Sequence, residues 1–131
     1  MKQRESGIIR AAFCALASRR IQILEPRHWS KFAPPPFRAA DNAIRGVAWR
    51  QNTGGAEIGR RFVNFGLRGQ CDIAGLMRGG QAFGIECKCA GQVPTPYQTW
   101  YHDFFGGLGM WIAVVRSYED TINILDRWGI T

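Results

Sequence analysis

The sequence predicts an α/β fold, a mixed sheet with flanking helices in the order α-β-β-β-α-β-α. Three observations carry this. In residues 5–20, Ile9, Ala12, Phe13 and Leu16 fall at i, i+3, i+4 and i+7, the mark of one buried helical stripe. Two apolar runs, 71–77 and 82–89, flank Arg78-Gly79-Gly80-Gln81, which reads as a β-hairpin. Finally, a helix opening at Thr95-Pro96 leads into an apolar run at 110–115 without alternation, as expected of a strand covered on both faces. Two strands joined through a helix make a parallel crossover.

The remaining elements follow in order. Residues 25–42 hold Pro26, Trp29 and Pro34-Pro35-Pro36, and three consecutive prolines forbid a helix interior or a central strand. This segment is expected to be irregular. Arg27, His28 and Lys31 beside Trp29 either meet nucleic acid or decorate a loop whose Trp packs down. Residues 46–53 read as a strand, and 57–65 as an irregular or short extended segment. Thr95 and Gln98 form a capping box, with Pro96 at the first helical position. In that helix Tyr97, Trp100, Tyr101, Phe104 and Phe105 make a wide apolar stripe, read as core. Ser117 and Asp120 repeat the Ser-x-x-acid helix start before a last helix at about 118–128.

A chain of 131 residues with 46% hydrophobic content is expected to form one domain, 1–131, with the Pro-rich stretch as an insertion. Its formal charge is +7, from 17 basic and 10 acidic residues, which favours a polyanionic partner such as nucleic acid. No run approaches ~20 apolar residues, so no membrane span is expected. The start Met1-Lys2-Gln3-Arg4-Glu5 lacks a long apolar stretch beside it, so a cytoplasmic, reduced protein is expected. The cysteines at 14, 71, 87 and 89 form no CxxC pair, and His28 and His102 lie far from metal-like spacing. Core packing is therefore favoured over a zinc site.

The candidate chemistry sits on the hairpin. Strand alternation turns Phe83, Ile85, Cys87 and Cys89 to one face and Gly84, Glu86 and Lys88 to the other. Asp72 opens the partner strand, so two carboxylates and an ammonium group converge. Such a trio suits a hard divalent cation, which takes carboxylate oxygens and binds phosphate, with the lysine as a point charge. The alternative is a salt bridge of Lys88 with either acid. Arg50, Arg60, Arg61 and Arg68 lie on the approach to Asp72, as phosphate binders or as a solvated basic face.

The motifs Trp49-Arg50-Gln51-Asn52-Thr53-Gly54, Gly69-Gln70-Cys71-Asp72, Glu86-Cys87-Lys88, Pro96-Tyr97-Gln98 and the 115–120 stretch resemble the VRR-NUC branch of the PD-(D/E)xK nuclease superfamily. The resemblance covers roughly residues 45–120, and Cys71 stands where many members carry a proline. It implies a restriction-endonuclease-like core and a metal-dependent endodeoxyribonuclease of the stand-alone phage or bacterial type. Asp72, Glu86 and the backbone carbonyl of Cys87 would hold Mg²⁺ or Mn²⁺, with no organic cofactor, and Lys88 would act on the attacking water. Gln98 would stand beside that lysine, unless it serves the capping box, since one side chain is expected to do only one of these well. Glu5 would be a further acid facing the site, or else an acid placed favourably at a helix N-terminus. Arg50, Asn52 and Arg68, with Arg60 and Arg61, would contact DNA. The resemblance further implies a homodimer acting on branched DNA such as a four-way (Holliday) junction. Rival readings are a non-catalytic nucleic-acid-binding protein on the same scaffold and an RNA nuclease.

Overall fold

The computed structural model describes residues 4–51 and 54–131, with 54–57 and 62–65 described by backbone alone. Helix α1 (Glu5–Ser18) is followed by β1 (Ile21–Leu24), a 3-10 turn (Pro26–His28), β2 (Gly46–Arg50), β3 (Gly54–Ile58), β4 (Arg61–Phe65), β5 (Ile73–Met77) and β6 (Ala82–Cys87). Helix α2 (Pro96–Gly107), β7 (Trp111–Val115) and α3 (Tyr118–Arg127) complete the chain. Strands β1-β2-β5-β6-β7 form one mixed sheet, and β3-β4 a separate two-stranded one. The protein is α/β, as expected.

The hairpin at the centre is the predicted one. Strands β5 and β6 are antiparallel, with Ile73 opposite Ile85 and Gly75 opposite Phe83. Gly75 is there because the Phe83 ring lies over it: a Cβ at 75 would sit 2.1 Å from the ring. Strand β7 pairs parallel to β6, as the crossover through α2 requires. Alternation along β6 sends Phe83, Ile85 and Cys87 into a core shared with Ile8, Leu16, Ala48, Ile73, Val115 and Leu125. Thus α1 and α3 close one face of the sheet.

Several expectations are corrected. The main sheet has four strands before α2, because β1 pairs parallel to β2, Ile21 opposite Gly46. Four residues are too few to show a period, and Ile21-Gln22-Ile23-Leu24 directly continues a helical pattern that stops at Ser18. The strand read at 46–53 is β2 up to Arg50, with 52–53 outside the described residues. Of the two readings of 57–65, irregular or short extended, the extended one holds, as part of the β3-β4 hairpin. The aromatic stripe of α2 is not core throughout. Tyr101 is buried, but Tyr97, Trp100 and Phe104 are each more than half exposed.

Residues 25–42 are irregular apart from the 3-10 turn, and Trp29 does not pack down, being 55% exposed. The following loop is fastened to the hairpin by Arg78. Its guanidinium donates to the carbonyls of Ala39 (2.8 Å), Asp41 (3.0 Å) and Ile44 (2.7 Å). Cys71 and Cys87 are buried free thiols, and Cys14 is exposed. No helix among the described residues is long and apolar enough to cross a membrane.

Candidate active site

On β6 the side chain after Ile85 turns away from the core, yet Glu86 is only 1% exposed. Extending the hairpin register by one pair places Asp72 opposite it. Asp72 Oδ2 accepts the backbone N–H of Cys87 at 2.8 Å, so the peptide between Glu86 and Lys88 is clamped to the Asp72 carboxylate. Glu5, in the first turn of α1, reaches the same spot: one carboxylate oxygen from each of Glu5, Asp72 and Glu86 lies within 4.8 Å of the others. The structure therefore brings together three acids from three elements. Glu5 is also the acid in the first turn of α1, so its placement suits the helix N-terminus as well as the cluster.

Three carboxylates at this separation repel, and the structure records the strain. Glu86 Oε2 is buried without a hydrogen-bond partner among the described residues. The Glu86 carboxyl is pushed up from about 4.5 to about 9, first by burial and then by the Asp72 carboxylate beside it. Glu5 adds to this and Lys88 opposes it. An orphaned oxygen and an unfavourable excess of acid are what a divalent cation would relieve, so the residues fit the hard-cation site that the resemblance implies.

The salt-bridge alternative for Lys88 finds no support. The ion pairs among the described residues are Arg19–Asp126 and Arg27–Glu25. Lys88 is 8% exposed, held by its backbone N–H to the Val115 carbonyl at 3.0 Å. Gln98 overturns the expectation that it can serve only one partner. Its Oε1 accepts the Thr95 N–H at 2.8 Å, while its Nε2 donates to Glu86 Oε1 at 3.2 Å. One end of the amide caps α2 and the other touches the site.

The arginines divide. Arg50 closes β2 and, with Arg10 and Arg27, lines a cleft of about 700 Å³ between α1 and the β1–β2 edge, beginning at Ser6 next to Glu5. Arg68 lies over the Tyr97 ring at 4.6 Å and donates to its hydroxyl at 3.1 Å. Arg60 and Arg61 are exposed at the β3-β4 turn. Asn52 lies outside the described residues. Two residues that the sequence reading set aside from metal binding, Cys71 and His102, lie with Glu86 in a second cluster. A signal for His102 existed: it falls four residues after Gln98, hence on the same helix face.

The raised Glu86 carboxyl gives a test of the site without catalysis. An acid that ionises near 4.5 unfolded and near 9 folded contributes stability that is present below the first value. That contribution is lost as pH rises through the second. The metal-free protein should therefore lose stability between about pH 5 and pH 9, with a slope of at most about 1.4 kcal/mol per pH unit. Glu86→Gln should flatten the slope. Urea titrations across that range that show equal slopes for both proteins would remove Glu86 from this role.

Comparison with known proteins bears on the same chain. No protein-family model matches it, and no solved structure does. A curated protein does match: the one titled "Putative nuclease p44", from Acyrthosiphon pisum secondary endosymbiont phage 1, is 37% identical over 68 residues, or 52% of this chain and 72% of the phage protein. With that identity over nearly three quarters of the relative, the chain belongs to the family of this phage nuclease.

Proposed function

We propose that the protein is a divalent-metal-dependent endonuclease that hydrolyses DNA phosphodiester bonds, selective for branched DNA and active as a homodimer. The observation that carries the reading is the convergence of Glu5, Asp72 and Glu86, with one oxygen of Glu86 buried and unpartnered beside Lys88. The kinship with a phage nuclease agrees with it.

Asp72, Glu86 and the Cys87 carbonyl would hold Mg²⁺ or Mn²⁺, with Glu5 as a further acid at the rim. A hard divalent cation bound there lowers the pKa of a ligated water and offsets charge on the phosphate. The protein's own residues do the rest. Gln98 holds Glu86 in place from α2, and Asp72 fixes the Glu86–Cys87–Lys88 backbone. Lys88 directs its charge to the scissile phosphate and the attacking water, and no residue becomes covalently attached. Arg10, Arg27 and Arg50 along the cleft suit a phosphate backbone, because a guanidinium donates to oxygens in pairs. Arg68, already engaged with Tyr97, presents its remaining donors beside α2.

The dimer is supported by the exposed Tyr97, Trp100, Phe104 and Leu108, which follow one another along α2. Apolar side chains in such a row are the composition of an interface core. A two-fold pair of sites would address opposing strands of a junction.

Labelled four-way, flapped and linear DNA, offered with Mg²⁺, Mn²⁺ or chelator, tests the whole reading alongside light scattering. The expected result is metal-dependent cutting of the junction in preference to linear duplex by a species of about twice 14.7 kDa. Binding without cutting in any metal would favour a non-catalytic nucleic-acid-binding protein, and cutting confined to RNA would move the substrate class.

A further inference from the structure

We propose that Cys71, Glu86 and His102 form a second cation site, for a borderline-soft divalent ion of the Zn²⁺ class, distinct from the carboxylate triad and sharing only Glu86 with it. One ligand atom from each of the three residues lies within 4.8 Å of the others. They come from separate parts of the fold: the turn into β5, strand β6 and the middle of α2.

The polar atoms support an occupant. Two buried side-chain atoms lack a hydrogen-bond partner among the described residues, Glu86 Oε2 and His102 Nε2, and both sit on residues of this cluster. An unpartnered buried polar atom is costly, so two on residues of one cluster point to a shared occupant. Cys71 is fully buried, and its sulfur occupies room that a glycine leaves: a Cβ at Gly84 would lie 2.8 Å from Sγ.

The donor set selects the ion. Thiolate, imidazole and carboxylate together are ligands of zinc and its cobalt substitute, whereas magnesium takes oxygen. Binding releases two protons to solvent, one from the Cys71 S–H and one from the buried Glu86 carboxyl, as metal–sulfur and metal–oxygen bonds form. A thiolate and a carboxylate each bring one negative charge and the imidazole stays neutral, so a doubly charged cation leaves a neutral cluster. Neutrality suits a buried place. Three protein ligands leave a fourth position for water. The ion would fasten α2 to the hairpin at a point one turn beyond the Gln98–Glu86 bond.

The test uses the full chain, stripped with chelator and titrated with Co²⁺. Wild type is expected to develop a near-ultraviolet thiolate-to-cobalt charge-transfer band that saturates at a single equivalent. Cys71→Ala should abolish the band, and His102→Ala should weaken binding by on the order of tenfold or more, at least the loss that removing an outer partner causes. Glu5→Gln should leave the band intact, which separates this site from the triad. X-ray absorption of the Zn²⁺-loaded wild type, expected to show sulfur among the zinc ligands, decides the matter should Cys71→Ala fail to fold. Absence of the band and of zinc-bound sulfur, or a band that survives Cys71→Ala, would overturn the proposal and leave a buried water as the occupant. Since no step measures cleavage, failure of the nuclease reading would leave this result unaffected.

Discussion

Asp72→Ala and Glu86→Ala should each lower the cleavage rate by roughly 10³-fold or more, the loss expected when several kcal/mol of cation-borne transition-state stabilisation is removed. Both acids lie in one cluster within 4.8 Å, and each supplies oxygen to the same place. Affinity for DNA should hardly change, because phosphate contacts from arginine supply most of it and Arg10, Arg27 and Arg50 lie along a separate cleft. Lys88→Ala should lose turnover but keep its Mn²⁺ binding in calorimetry, since an ammonium group cannot ligate a cation. Single-turnover cleavage at saturating metal is the deciding measurement. A wild-type rate from either acid variant would mean that the cleavage centre lies elsewhere.

Gly69→Ala should be the most damaging small change to the fold, at about 2–5 kcal/mol from overpacking together with backbone strain. Gly69 has φ +86°, and a Cβ there would lie 2.2 Å from the Tyr97 carbonyl oxygen and 2.9 Å from the Gln98 nitrogen. The obstacle is main chain at the first turn of α2, which cannot step aside as a flexible side chain can. The methyl group would push α2 outward and carry Gln98 away from Glu86. Thermal unfolding should show a drop of many degrees, and cleavage should fall even where the variant remains folded. A variant as stable as wild type would show that the approach of α2 to the Gly69 turn is not needed.

The central hairpin was legible because its signal is local. Its two apolar runs, a Gly-Gly turn and one strand face bearing Glu86 and Lys88 all lie within 71–89, and the observed register, extended by one pair, sets Asp72 opposite Glu86. Both capped helix starts, at Thr95 and Ser117, were legible for the same reason, since each involves a side chain and an amide three residues apart. What was hidden depends on residues distant in the chain. Strand β1 exists because β2 lies beside it 25 residues on, and its four residues carry no pattern of their own. The exposure of Trp100 and Phe104 could not be read from helical spacing, which marks an apolar face without saying what covers it. Cys71 and His102 are 31 positions apart, and only the folded approach of α2 to the hairpin makes them neighbours of Glu86.

The two-ended role of Gln98 has a consequence for which residue this position tolerates. At an ordinary capping box glutamate serves as well as glutamine, because either offers an oxygen to the backbone. Here the oxygen is taken by the Thr95 amide, which fixes the amide's rotation and turns the NH₂ group toward Glu86. Glutamate would keep the cap but set a fourth carboxylate against the three already gathered. The position thus distinguishes two side chains of nearly identical shape by polarity alone. One side chain ties the position of the Glu86 carboxyl to the first turn of α2, so a change that displaces either would disturb the other.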